Sequence, residues 1–310
     1  EAAIRAIPPH QLTTVARALS DRGSKQSVLA CMQVLCRGVL QTPAGPDPGC
    51  GLQTMVCLSD HMCNDIGSLA VEEVTQVLDF LLALSRHLCA TGIQTAHQHS
   101  VRRVFELLWN VGVALGRSGH WTPCAAAFSQ GHDVLCALGA CSTMQGAEES
   151  QMCLVALTAA HLEVARGGTG TDSAALYTRV VESAARAHAA GEEVRKHRPE
   201  GSPAGEPDKA LPLLVLMEFE ARARISGHGL SEFVQGACPQ SQLHAQCYLI
   251  MAQLALHAGS GETAMQCLRW YLRMSAEDVA RGSTACLGTF AMALRELVGL
   301  HASRDDSLGC

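Results

Sequence analysis

A chain of 310 residues with 48% hydrophobic but 4% aromatic residues suits closely packed helices better than strands, which draw on aromatic and β-branched side chains. No apolar run reaches the roughly 18 residues needed to cross a bilayer. The net charge of -6 argues against a phosphate-binding surface, so the chain reads as soluble, with no membrane and no direct nucleic-acid partner.

In chain order, residues 1–9 finish an earlier helix at Pro8 and Pro9, and residues 10–21 and 24–40 form a first helical hairpin turning at Gly23. Residues 42–51, rich in Pro and Gly, are a loop. Residues 52–66 and 70–90 make a second pair, with Ser68 as N-cap and Glu72 and Glu73 placed to favour the positive helix end. A hairpin over 101–139 follows, then helices over 147–166 and 172–195, with a turn at 167–171 and Asp172 as cap. Residues 199–208 are polar and Pro/Gly-rich and are predicted to be a disordered insertion. Beyond it come helices over 210–226, carrying Leu213, Leu216, Met217, Phe219 and Glu220, and over 230–235. A last pair spans 240–258 and 262–274, and 282–301 is a closing helix. Beginning at Glu1 rather than Met, the chain is expected to be a piece of something longer.

The hairpin at 101–139 is the most informative stretch. Its apolar positions Val104, Leu107, Leu108, Val111 and Leu115, then Cys124, Ala127, Phe128 and Leu135, recur at helical spacing on either side of a short turn. Gly119 tolerates the positive φ that ends a helix, Thr122 is expected to cap the second helix, and Pro123 fits its first turn. Gly112, Leu115, Gly119, Trp121 and Phe128 fall at the offsets of the tetratricopeptide repeat, a unit of about 34 residues, with Cys124 at its small-residue position. The same offsets return at Met251, Ala252, Gly259 and Ala264, shifted uniformly by 140 residues. No strand alternation of useful length appears. The predicted fold is therefore all-α, a tetratricopeptide-like solenoid of antiparallel helix pairs spanning 1–310 as a single fragment.

Fifteen cysteines without a Cys-x-x-Cys pair do not spell a disulfide framework. Most sit on helical apolar faces (Cys31, Cys36, Cys89, Cys136, Cys153, Cys247, Cys267, Cys286), where thiols act as small hydrophobes, which suits a reduced intracellular chain. The group Asp60 to Cys63, with Cys57 nearby, is the best metal candidate, yet its side chains spread round a helix, so no metal is expected. His97 and His99 read as solvated surface. The Gly-rich turn at 167–171 lacks the Lys-Ser/Thr of a phosphate loop, and no catalytic motif emerges. Neither enzyme activity, cofactor nor small-molecule substrate is expected.

Trp109 and Asn110 stand apart. An amide inside a helix is mildly unfavourable and must find a partner when buried. Asn110 lies two residues before Gly112, about 200° round the helix, so it is predicted to point away from the packing seam. Trp109 flanks that seam. Trp109 also fits a core position and Asn110 a tie between neighbouring helices. Both are preferred as the candidate partner-binding residues of a concave groove.

The order of features resembles the meiotic sporulation-type tetratricopeptide family, the Zip-four-like crossover scaffolds. Residues 105–110 (Phe-Glu-Leu-Leu-Trp-Asn), 151–157, 213–220 and 264–268 carry the likeness, which covers roughly 71–301. The resemblance implies a nuclear, chromosome-associated scaffold that promotes crossover formation and synapsis through contacts with crossover or chromosome-axis proteins, without enzymatic activity. A general tetratricopeptide adaptor of the co-chaperone kind is the alternative reading. Its clamp for acidic chain ends wants Asn after the helix glycine and basic groove residues. Here Val113 follows Gly112, and lysine occurs only at Lys25, Lys196 and Lys209. An α-helical enzyme is a further alternative, but it would need a polar constellation that the sequence does not display.

Overall fold

Apolar residues at helical spacing form helices here because each stripe finds another to cover it. The computed structural model describes residues 69–91, 98–168, 172–198, 210–226, 229–237, 243–280 and 291–300, together with Val56, Ser59, Ile66 and Thr289. The expected hairpin over 10–40, the loop at 42–51, the Asp60 to Cys63 group, His97 and the insertion at 199–208 lie outside those residues.

The described helices are α1 (Val71–Thr91), α2 (Gln98–Arg117), α3 (Trp121–Ala137), α4 (Met144–Gly167), α5 (Ser173–His197), α6 (Leu211–Ile225), α7 (Leu230–Ala237), α8 (Ala245–His257) and α9 (Gly261–Ala280). A short 3-10 turn, Ala140–Ser142, joins α3 to α4, and residues 291–300 are also helical. No strand occurs among the described residues. The fold is all-α and is assembled from antiparallel helix pairs of tetratricopeptide-like type.

The chain divides into two compact units, Glu1–Val164 with Ala189–Pro199, and Ala165–His188 with Glu200–Cys310. In the first, α1, α2 and α3 pack on one another. Val77, Leu81 and Leu84 from α1, Val104, Leu108 and Val111 from α2, and Ala127 and Leu135 from α3 are buried. A Cβ at Gly131 of α3 would stand 3.7 Å from both Cys153 Sγ on α4 and Phe105 Cδ2 on α2, which marks where α4 closes over this pair. In the second unit, α6, α7, α8 and α9 enclose a core of Val215, Phe219, Val234, Met251, Ala264 and Leu268 among others.

The two hairpins expected to be equivalent share their backbone chemistry. At the end of α2 the N–H of Gly119 donates to Gly116 O (3.0 Å) and that of His120 to Leu115 O (2.9 Å). At the end of α8 the N–H of Gly259 donates to Leu256 O (3.0 Å) and that of Ser260 to Ala255 O (2.8 Å), each bond displaced by 140 residues. This is the glycine-ended helix cap in which a left-handed residue turns the chain back onto the last carbonyls. Gly119 and Gly259 adopt φ of 75° and 74°, a region a side chain would oppose.

Several local expectations are corrected. Helix α3 starts at Trp121, with His120 as N-cap and no side-chain cap, so Thr122 does not cap it. The turn on Gly119 delivers the chain into the helix one residue too early for Thr122 to serve, while Pro123 does sit in the first turn. Helix α1 likewise begins at Val71, leaving Ala70 rather than Ser68 in the cap position. The Ala70 N–H donates to Glu73 Oε2 at 2.9 Å, half of a capping box, and Ser68 itself is not among the described residues. Helix α4 starts at Met144 rather than 147 because the Thr143 hydroxyl accepts from the Gly146 N–H at 3.2 Å.

Helix α8 starts at Ala245 rather than 240. Leu243 is buried in the core, and His244, with extended backbone angles, caps the helix by accepting from the Gln246 N–H. Helix α9 runs on to Ala280 instead of ending at 274. Leu213, one of the residues that mark α6 in the sequence, is 51% exposed. It shares a face with Leu216 and Glu220, and that face is covered toward its C-terminal end, where Arg166 reaches Glu220. Cys136, expected on an apolar face, is exposed as well, although its neighbour Leu135 is buried.

Candidate functional site

The seam between α2 and α3 explains where Trp109 and Asn110 come to lie. A Cβ at Gly112 would stand 2.9 Å from Phe128 Cε1, so the absence of a side chain lets the Phe128 ring come close to the α2 backbone. One turn on, a Cβ at Gly116 would meet Trp121 at 3.2 Å and Cys124 Sγ at 3.3 Å. Gly116 was not singled out in the sequence, although its place four residues after Gly112 puts it on the same face. Trp109 flanks this seam, its ring 5.2 Å from that of Phe128 and tilted by 59°, and it is half-buried. Asn110 is exposed on the opposite side, as the helical angle predicts.

Trp109 and Asn110 form a ridge between two clefts of the first unit. The larger, about 480 Å³, lies between this part of α2 and the start of α1, with Leu69, Val71, Val74 and Val113 in its walls. The smaller, about 360 Å³, lies between α2 and α4 and is lined by Arg103, Glu106, Glu149 and Met152 as well. Met152 is 51% exposed.

The polar groups of the smaller cleft are paired in a particular way. Arg103 bonds Glu106 within α2, and Arg102 crosses to Glu149 of α4 with its guanidinium 5.2 Å over the Phe105 ring. Gln145 Nε2 also donates to Glu149 Oε1, at 3.2 Å. Both donors converge on one oxygen. Glu149 Oε2 is buried and has no hydrogen-bond partner among the described residues. Glu149 was missed in the sequence because nothing local distinguishes it from a solvated helix carboxylate. The ridge thus offers an amide that both donates and accepts, an indole and a thioether.

The nearby thiols of Cys124 and Cys153 are buried. Burial raises the Cys124 pKa to about 11 and the Cys153 pKa to about 12, the second with help from Glu149 and Cys141. His99 is exposed at the start of α2.

The fold and the ridge define an all-α protein of helical-repeat type, an architecture compatible with a scaffold for protein contacts. Neither a family model nor a curated protein matches the chain. Among solved structures it is similar to a circular tandem repeat protein with novel repeat topology and enhanced subunit contact surfaces. The likeness has 12% identity and a TM-score of 0.35, and covers 96% of this chain and 78% of that one. No helix among the described residues is long and apolar enough to cross a membrane.

Proposed function

We propose that this chain is a non-enzymatic scaffold that holds segments of partner proteins along the Trp109 and Asn110 ridge, and that it serves meiotic chromosomes in the nucleus, supporting crossover formation and synapsis. The observation that carries the binding site is the exposed Asn110 amide between two clefts, on a helix whose opposite face is fully packed. An exposed amide can pair with both the N–H and the C=O of an extended segment, while Trp109 and Met152 cover its apolar side chains. The meiotic assignment rests on the motif order, with residues 105–110 opening the hairpin that bears the ridge.

The test is affinity capture from meiotic and from mitotically dividing cells, using the natural chain and Asn110→Ala. Asn110→Ala is expected to leave the thermal transition in place, within about 1 kcal/mol, because the side chain it removes is exposed. It should sharply reduce recovery of a partner enriched from meiotic cells. Equal recovery by both chains would remove the ridge from binding, and partners found equally in dividing cells would remove the meiotic role. Capture of peptides ending in acidic residues would favour the adaptor reading instead.

A further inference from the structure

The exposed position of Cys136 opens a chemistry that the buried thiols do not share. Its Sγ lies 3.8 Å from Cys141 Sγ, and the His132 ring one turn back approaches it with Nε2 at 3.6 Å. Cys141 is half-buried in the 3-10 turn after α3, and Asp133 Oδ1 is 3.7 Å from His132 Nδ1. Cys124, Cys153 and Cys267 are all buried. The pair therefore combines access, a second sulfur in reach and a basic ring, a combination found at no other thiol among the described residues.

We propose that Cys136 and Cys141 are a peroxide-oxidisable thiol pair, in which Cys136 is the attacking sulfur, Cys141 the resolving sulfur and His132 the proton acceptor. Moving the sulfurs from 3.8 Å to the about 2.05 Å of a disulfide requires a shift of under about 2 Å, within reach of side-chain rotation. Cys136 gives its proton to His132, and the thiolate attacks one oxygen of hydrogen peroxide. The O–O bond breaks, a sulfenic acid forms on Cys136, and the departing hydroxide takes the proton from the imidazolium to become water. The Cys141 thiol then attacks that sulfur, the S–O bond breaks, and hydroxide leaves with the second thiol proton as a second water. Two electrons pass from the sulfurs to the peroxide, and the two thiols and one peroxide become one disulfide and two waters. The bond closes residues 136–141 into a ring and staples the end of α3 to the turn that leads into α4.

The proposal is tested on the full chain with hydrogen peroxide at neutral pH, followed by alkylation and peptide mapping. Residues 118–166 hold no tryptic site before Arg166, so a chymotryptic cut after Leu138 is needed to separate the two cysteines. Expected is a linked pair of peptides carrying Cys136 and Cys141, lighter by two hydrogens than the reduced pair. In Cys141→Ser, Cys136 should instead accumulate as a sulfenic acid that dimedone traps, and circular dichroism confirms that this variant keeps its helices. His132→Gln is expected to slow disulfide formation several-fold, and an unchanged rate would remove His132 from the step. Full alkylation of both thiols after peroxide, or a disulfide from either one to another cysteine or to a second copy of the chain, would overturn the assignment.

Discussion

At Gly112 the close approach of two helices comes down to one missing methyl group. Its α2 backbone lies against the Phe128 ring, which is buried and held from the side by Trp109, so the ring has little room to retreat. Gly112→Ala gains helix propensity of up to about 1 kcal/mol but overpacks the seam by about 1–3 kcal/mol. A net loss of about 1 kcal/mol is expected, read as a lower urea midpoint with an unchanged slope. A stabilised variant would show that Phe128 shifts freely. Trp109→Ala should behave differently from Asn110→Ala. Its half-buried indole packs on Phe128, so about 2 kcal/mol of stability is expected to go with whatever binding it supports. Asn110 was assigned outward from the angular offset to Gly112 alone, and it is exposed.

Among the elements, the junction between α3 and α4 shows how one hydroxyl decides where a helix begins. Thr143 has extended backbone angles of -109° and 152°, and its side-chain oxygen takes the N–H of Gly146. Thr143→Ala is expected to cost about 1 kcal/mol, with Thr143→Ser restoring most of it. Amide exchange at Gly146 should accelerate in the alanine variant, and an unaltered exchange rate would mean that the cap contributes nothing. The Ser-Thr pair at 142–143 could have been read as a helix start. The residues after it, Met144 to Glu149, show little apolar periodicity, so the helical pattern becomes legible only further along.

For the molecule as a whole, the second unit contains charges where its sequence suggests hydrocarbon. Glu218 of α6 is buried, with His188 Nε2 of α5 3.0 Å from its Oε2, and Arg222 donating to Oε1 through Nε at 2.9 Å. Burial by itself raises the Glu218 pKa, but the hydrogen bonds and charges of His188 and Arg222 outweigh it and hold the carboxyl below its ordinary value. A carboxyl with a lowered folded pKa contributes stability that is present above its unfolded value of about 4.3 and is lost as pH falls through the folded one. The melting temperature is therefore expected to fall below about pH 4.3, and Glu218→Gln should flatten that acid limb relative to the natural chain. An equally steep limb in the variant would assign the acid loss to other carboxylates. Glu220, paired with Arg166, ties α6 to the end of α4 in the same unit.

The sequence by itself determined the helical class, the pairing of α2 with α3 and of α8 with α9, and the glycine-ended turn repeated 140 residues apart. Those features depend on period, on the φ that glycine alone accepts readily, and on residues close along the chain. It also settled which way Asn110 points, since that follows from helix geometry once Gly112 is placed at the seam. Only the tertiary structure decided that Leu213 and Cys136 are exposed, that Glu218 and Glu220 are buried, and that Trp109 and Asn110 separate two clefts. A helix's own periodicity marks the face able to be covered. Whether that face is covered along its whole length, and by hydrocarbon or by a matching charge, depends on neighbours such as Arg166 and His188, which lie 54 and 30 residues away from their partners.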